Sequence, residues 1–137
     1  MLGLSAKVRY GLQAVYDLAL HGGDGPRLIR EIANDQRIPQ QFLEHVLVQL
    51  KRSMLVQSFR GSHGGYTLAR APEDISVIEV LTCLGGPVEL DEGPWNDKVL
   101  AAPLKNAALA VSQALEVSLA DLVWNKSKSR TSLTYQI

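Results

Sequence analysis

The stretch PQQFLEHVLVQLKRS, residues 39–53, decides the fold class of this chain. Proline is favoured in the first turn of a helix, so the stretch predicts a helix from Pro39 to about Ser53. Its apolar side chains share one arc of a helix: Phe42, Leu43, Val46, Leu47 and Leu50. The opposite face carries amides, a carboxylate, an imidazole and two cations, which are the side chains that reach DNA bases and phosphates. Val48 is the exception, because it projects from the middle of this polar face.

The segments on either side of this helix predict its neighbours. Ser5 is a suitable cap for a helix that runs to about Leu20. A short second helix is expected over residues 28–34, with a tight connection before Pro39. Two strands follow at residues 55–59 and 66–69, joined by RGSHGG, whose glycines permit a tight reversal. This order of elements predicts a winged helix-turn-helix, in which the hairpin is the wing.

The second half of the chain predicts further helices. Ser76 and Glu79 have the spacing of a capping box, which opens a helix from Val77 to about residue 84. A longer helix is expected from about residue 96 to 117, begun or interrupted near Pro103, and a last short turn follows through Trp124. The predicted fold class is therefore mainly α with a small β-wing, a winged helix-turn-helix plus a long C-terminal dimerisation helix. We expect residues 1–70 to form the DNA-binding unit, residues 71–124 the dimerisation and effector region, and residues 125–137 a disordered tail.

The charge of the chain is divided between its halves. The total is balanced, with 14 basic and 14 acidic residues. Residues 1–70 nevertheless contain nine basic and five acidic side chains, and residues 71–137 contain five and nine. This division suggests that the first half meets a polyanion, although two solvated faces would produce the same count.

Composition also excludes several classes of protein. No apolar run approaches the roughly 18 residues that span a bilayer, and charged residues occupy the region where a signal peptide would be apolar. We therefore expect a cytosolic (cytoplasmic) protein with no membrane partner. The single cysteine forms neither an internal disulfide nor a Cys-only metal site. No lysine follows the glycine-rich loop, which excludes a nucleotide P-loop there.

Seven fragments give the chain a specific resemblance: LSAKVRY at 4–10, EIA at 31–33, FLE at 42–44, LKR at 50–52, RG at 60–61, GGYTLA at 64–69 and SLADL at 118–122. Over about residues 2–124 the sequence resembles the bacterial winged-helix regulators typified by IscR, NsrR and CymR. This resemblance implies a homodimeric transcription regulator, a repressor or an activator, that binds a pseudo-palindromic site on double-stranded DNA. The third helix would enter the major groove, and a long C-terminal helix would cross to the partner subunit.

The resemblance also implies roles for particular residues. Glu44 would accept a hydrogen bond from a cytosine amino group, and Arg60 would enter a narrow minor groove. Independently of the resemblance, we infer that Val48 packs on a thymine methyl group. The full DNA-binding set is Lys7, Arg9, Tyr10, Arg30, Pro39, Gln40, Gln41, Glu44, His45, Val48, Arg52, Ser58, Arg60, Gly61 and Gly64. The dimerisation set is Val99, Leu100, Leu104, Ala107, Ala108, Val111 and Leu115.

The sequence departs from this family in the effector region. Many members carry three cysteines before the long helix and bind an iron–sulfur cluster there, whereas residues 88–105 contain no cysteine. Cys83 lies upstream, in a helix where a buried apolar role is expected. We therefore expect no cofactor and no metal site. Two alternatives stay open: a cluster with unusual ligands, and a hard cation bound by the acidic loop at residues 89–97 rather than a solvated linker.

No arrangement of nucleophile, base and orienting group is apparent, so the chain is not predicted to be an enzyme. The alternative to a DNA-binding regulator is a protein-interaction module, in which the winged helix is a scaffold controlled by a partner protein. The sequence does not identify the operator, the effector or that partner.

Overall fold

The computed structural model describes residues 3–135, with side chains through residue 129. Six helices and a two-stranded antiparallel sheet follow one another along this part of the chain. Their bounds are α1 Ala6–Leu20, α2 Ile29–Gln36, α3 Gln40–Arg52, β1 Val56–Phe59, β2 Gly65–Leu68, α4 Val77–Gly85, α5 Ala101–Ala114 and α6 Leu119–Tyr135. Short 3₁₀ turns occupy Pro72–Asp74 and Lys98–Leu100. The predicted fold class, mainly α with a β-wing, is confirmed.

Serine side chains begin two of the helices as predicted. The Val8 amide donates to Ser5 Oγ at 3.3 Å, and the Glu79 amide donates to Ser76 Oγ at 3.2 Å. Each bond satisfies one of the amides that a helix N-terminus leaves without a partner, which is worth about 1 kcal/mol.

The turn between α2 and α3 contains no glycine. Arg37 adopts a left-handed conformation, with φ 55°, and ends α2. The Ile38 amide then donates to the Ala33 carbonyl at 2.9 Å, and the Ile38 side chain is buried. Pro39 was predicted to be the first residue of α3. It is instead the N-cap, one residue before the helix begins. This tight turn fixes the direction in which α3 leaves α2.

A single core joins the two halves of the described chain. The apolar faces of α1, α3 and α4 meet there, and Leu119 at the start of α6 is also fully buried. Main-chain bonds reinforce this junction, because the Leu119 amide donates to the Ile75 carbonyl at 2.9 Å and the Val77 amide to the Val117 carbonyl at 2.9 Å. The second half of the described chain is thus attached directly to the winged helix.

The C-terminal helices differ from the prediction. Helix α5 is shorter than the expected helix over residues 96–117, because Asp97 caps a separate 3₁₀ turn by accepting from the Val99 amide at 3.0 Å. The expected disorder after residue 124 is wrong, because α6 continues to Tyr135. Ser118 and Asp121 cap each other's amides at 3.1 and 3.0 Å, and no proline or glycine follows before Tyr135 to end the helix. Residues 136 and 137 of the expected tail lie outside the described residues.

Candidate nucleic-acid interface

Helix α3 separates its two faces as the sequence predicts. Leu43, Val46, Leu47 and Leu50 are buried in the core. The outward face exposes Gln40, Gln41, Glu44, His45 and Arg52 along the length of the helix. Val48 lies among them with 48% of its surface exposed, so its side chain is not part of the core. A continuous polar face with one apolar residue is therefore available to a partner.

The N-terminal helix meets α3 through two aromatic rings. Phe42, which was predicted to face the core, lies at the edge of it and is partly exposed. Its ring contacts Tyr10 edge-on, with centroids 5.2 Å apart and planes at 76°. The Arg9 guanidinium lies over the Tyr10 ring, 5.0 Å from its centre. This stack brings two predicted phosphate-binding residues of α1 to the first turns of α3.

The wing presents a short glycine-containing loop. Strands β1 and β2 pair from Val56 opposite Leu68 to Phe59 opposite Gly65, which leaves residues 60–64 as the loop. Gly61 has φ 100°, and its carbonyl accepts from the Gly64 amide at 3.0 Å. A Cβ on Gly64 would lie 2.8 Å from the Phe59 carbonyl oxygen, so a side chain does not fit there. Arg60 and Gly61 are exposed on this loop.

Ser58 has a partner that the sequence did not reveal. The Lys51 ammonium donates to Ser58 Oγ at 2.6 Å, which connects the last turn of α3 with β1. Lys51 was recognised on the polar face of α3 but was not included among the predicted DNA-binding residues. The basic pair at residues 51 and 52 is the sequence signal that could have identified it.

Arg30 is exposed on α2. It borders a cleft of about 620 Å³ between α2 and α3, and Gln40 lines the same cleft. Lys7 is exposed in the first turn of α1. Pro39 is exposed at the N-cap of α3. The predicted DNA-binding residues therefore come from α1, α2, α3 and the wing, and they are exposed except for the half-buried Tyr10, Ser58 and Gly64.

Asp17 is fully buried, although the helical period of α1 places it on the polar face. Both of its carboxylate oxygens accept from Arg27, at 3.1 and 3.2 Å. Burial alone lowers the pKa of Arg27, but the hydrogen bonds and charges of Asp17 and Asp35 outweigh burial and raise it. Arg27 therefore keeps its positive charge, which offsets the cost of burying the carboxylate.

One group of side chains near Arg27 has the composition of a metal site. Single ligand atoms of Asp17, His21 and Asp35 lie within 4.8 Å of one another. Asp17 and Asp35 both bind the Arg27 guanidinium, however, so a positive charge already neutralises these carboxylates. A metal ion would have to displace that arginine.

The predicted dimerisation residues differ in exposure. Val99 is 74% exposed and Val111 is 41% exposed, and Leu100 and Ala107 are also exposed. Leu104 and Leu115 are half-buried, and Ala108 is already covered within its own chain, so it offers almost no surface to a partner. Leu109 is exposed as well, although it was not predicted in this set. Such apolar exposure is typical of a surface that another protein covers.

The acidic loop and α5 enclose a separate recess of about 420 Å³. Its polar lining includes Glu89, Asp91, Glu92 and Lys105. A hydrogen bond with Glu92, followed by the charge of that residue, raises the pKa of Glu89. The loop therefore holds carboxylate oxygens but no thiolate.

The tight turn between α2 and α3, the exposed face of α3 and the basic wing define a winged helix-turn-helix protein of the DNA-binding class. A family model agrees with this class: the model described as Rrf2, iron-dependent transcriptional regulator, matches residues 4–125. The chain belongs to the Rrf2 family. It is accordingly a transcription regulator and not an enzyme, as the sequence predicted.

Individual relatives support the family. The chain is 41% identical over 98 residues to the HTH-type transcriptional regulator slr0846 of Synechocystis, a match that covers 72% of this chain and 67% of that protein. The structure of CymR, the global cysteine regulator of B. subtilis, superposes with a TM-score of 0.84 at 31% identity, covering 91% of this chain and 98% of the other. The IscR structure from T. potens has a TM-score of 0.82 at 33% identity, covering 93% and 90%.

The matches to three further curated relatives, the rrf2-like regulator of Rhodobacter capsulatus, CymR of Bacillus subtilis and the rrf2 protein of Nitratidesulfovibrio vulgaris, span 59% to 62% of those proteins' lengths. Within residues 3–135, the helices lack the combination of length and apolarity needed to cross a membrane.

Proposed function

We propose that this regulator is a homodimer that binds a pseudo-palindromic operator, with α3 in the major groove and the wing in the adjacent minor groove. The observation that carries the proposal is the division of α3, whose apolar face is buried while its opposite face stays exposed. A core helix would not need long amides, a carboxylate and cations in that arrangement. A helix that meets base edges does.

The first turns of α3 would supply base recognition. Glu44 accepts from a cytosine amino group, because an ionised carboxylate has no proton to donate to base acceptors. Gln40 and Gln41 lie one turn earlier, and His45 extends the same surface. Val48 supplies apolar contact for a thymine methyl group. Arg60 enters the minor groove, where A·T tracts concentrate negative potential.

The remaining polar residues would position the protein on the DNA backbone. Lys7, Arg9 and Tyr10 approach phosphates from α1, and Arg30 and Arg52 do so from α2 and the end of α3. The bond between Lys51 and Ser58 adds a cation beside the wing. Phosphate contacts carry no sequence information, so these groups contribute affinity and register.

One side of α5 is proposed to pair with a second copy of the chain. Leu100, Leu104, Ala107, Val111 and Leu115 recur at spacings of three and four residues, so they share that side. A two-fold dimer would place its two recognition helices about 34 Å apart, or at a multiple of that spacing.

We further propose that the regulator works without the usual iron–sulfur cluster, although its family is described as iron-dependent. The donor set does not fit such a cluster, because the loop before α5 has carboxylates in place of thiolates. Cys83 lies in α4, and its thiol donates to Ser53 Oγ at 2.9 Å. Anaerobically purified protein is expected to contain no iron and no visible absorbance; a stoichiometric iron content would contradict this proposal.

Selection of bound sequences from random DNA tests the DNA-binding role. We expect enrichment of an inverted repeat, and an affinity that falls steeply with salt as counterions are released. A Lys105→Ala variant is the control, because it removes a cation from the acidic half and should leave the salt slope unchanged. Absence of any enriched sequence would contradict the proposal and favour the protein-interaction module.

A further inference from the structure

We propose that Arg27 is a positioning residue that holds the wing in place for its minor-groove contact. The inference rests on the proposed function, because it assumes that Arg60 of the wing meets DNA. Arg27 does not contact DNA itself in this proposal. It acts through the position of the wing.

The side chain of Arg27 fastens two helices to each other. It bonds to Asp17 of α1 through two nitrogens, to Glu31 of α2 at 3.4 Å, and to Asp35 of the same helix. The Arg27 side chain is only 11% exposed. With three carboxylates around one guanidinium, Arg27 has neither the net positive charge nor the exposure that a phosphate contact requires.

The main chain of the same residue fastens the wing. The Arg27 amide donates to the Tyr66 carbonyl at 2.9 Å, and the Tyr66 amide donates to the Arg27 carbonyl at 2.8 Å. This reciprocal pair makes Arg27 a one-residue third strand along β2. Residue 27 therefore connects α1, α2 and the wing at one point.

Gly65 allows this close approach. It has φ 136°, and a Cβ at this position would lie 2.4 Å from the Arg27 carbonyl oxygen. Gly65 pairs with Phe59, and Arg60 is the next residue after Phe59. One cross-strand pair, Phe59 with Gly65, thus separates the Arg27–Tyr66 bridge from the proposed DNA contact at Arg60.

The wing needs such an anchor because a two-stranded hairpin is marginally stable alone. The other side of the hairpin is fixed by buried Val56 and by the bond between Lys51 and Ser58. Strand β2 is held through Arg27. A binding group that is displaced by about 1 Å loses much of its contact, so the anchor on β2 is expected to affect Arg60.

The test compares Arg27→Lys with Arg70→Lys. Lysine keeps the positive charge at residue 27 but lacks the fork that bonds both oxygens of Asp17. Arg70 is the matched control, because it also pairs with a carboxylate, Glu79, but belongs to neither the cluster around Asp17 nor the bridge to Tyr66. The probe is the operator selected by the parent protein, in two altered forms. One replaces A·T pairs under the wing by G·C, and the other replaces a base pair under α3.

In fluorescence anisotropy, G·C pairs under the wing should weaken parent binding by about fivefold or more. We expect Arg27→Lys to lose at least half of the parent's preference for A·T over G·C pairs under the wing. Its preference for the original base pair under α3 should stay within about twofold of the parent's. Arg27→Lys should have no further effect in an Arg60→Ala background, since coupled residues are not additive. Arg70→Lys should match the parent. By hydrogen exchange, the Tyr66 amide should exchange faster in Arg27→Lys.

Asp35→Asn provides a second variant in case Arg27→Lys does not fold. It removes the negative charge of Asp35, a half-exposed partner of Arg27, and leaves the bonds between Arg27 and buried Asp17 in place. We therefore expect the same effects with a smaller magnitude. Equal losses under the wing and under α3, or an undiminished effect in the Arg60→Ala background, would overturn the role of Arg27. If Arg60→Ala alone leaves discrimination under the wing unchanged, the proposed wing contact is wrong and the inference fails with it.

Discussion

Tyr10 of the first helix packs edge-on against Phe42 of α3, with ring centroids 5.2 Å apart. This contact supports the element that carries the predicted base-recognition residues. Tyr10 therefore has a ring that contacts α3 and a hydroxyl that we propose as a phosphate contact.

Two substitutions separate these parts. Tyr10→Phe keeps the ring contact and should weaken binding to all sequences by a similar, small factor, because a lost phosphate contact carries no sequence information. Tyr10→Ala should additionally reduce stability by about 3 kcal/mol or less, since the site is only half-buried. Operator binding and thermal unfolding of both variants check this. Equal melting temperatures for the two variants would show that the ring contact contributes nothing.

Glu44→Ala should relax base preference more than it weakens binding. A carboxylate near DNA is repelled by phosphates, so its removal costs little general affinity, while the acceptor for a cytosine amino group is lost. Selection from random DNA with the variant measures the change, and Glu73→Ala is the control because it removes an exposed carboxylate outside α3. An unchanged preferred sequence would mean that α3 does not enter the groove as proposed.

Lys51→Ala should lower affinity about equally for all sequences and reduce the salt slope by about one unit. The reason is that Lys51 is expected to neutralise one phosphate while bonded to Ser58. Ser58→Ala tests whether the bond to Ser58 matters for this contact. The variant keeps the Lys51 cation and removes the hydroxyl that accepts from it at 2.6 Å. A salt titration of operator binding distinguishes the two, and an unchanged slope in Lys51→Ala would exclude the phosphate contact.

Local sequence patterns were sufficient to predict the fold and the exposed surface of α3. Ser5 and Ser76 cap their helices because capping depends on residues three positions apart. The exposure of Val48 also follows from the helical period alone. The end of the chain was predicted wrongly from its polarity. The turn that Ser118 and Asp121 cap was expected to stop at Trp124, but no proline or glycine ends the helix there, and α6 continues to Tyr135.

Tertiary pairing was not accessible from the same patterns. Asp17 occupies a polar position in the period of α1, and its burial depends on Arg27, which follows a glycine-rich connection ten residues later. Lys51 and Ser58 likewise meet only when the chain reverses between α3 and β1. Such pairs depend on how elements dock, and neither helical nor strand periodicity contains that information.

Gly11→Ala should destabilise the protein even though alanine favours a helix interior. The added Cβ would lie 1.9 Å from Leu84 Cδ1, at the close approach of α1 and α4. Overpacking costs about 1–3 kcal/mol, and most of that range exceeds the roughly 1 kcal/mol gained in helix propensity. Denaturant unfolding measures the difference. Leu84→Val removes the obstructing δ carbons, so the double variant should be more stable than the sum of the single effects predicts.

Val111→Lys should convert the proposed dimer into a monomer and reduce operator affinity sharply. Val111 is partly exposed on the apolar side of α5, where a lysine would bury an unpaired charge between two subunits. Gln113→Lys is the matched control, because it adds the same charge to an exposed position on the opposite side of the helix. Sedimentation equilibrium should show monomers for the first variant and dimers for the second. If both variants dimerise and bind the operator like the parent, the subunits associate through another surface, and the two recognition helices are not related through this side of α5.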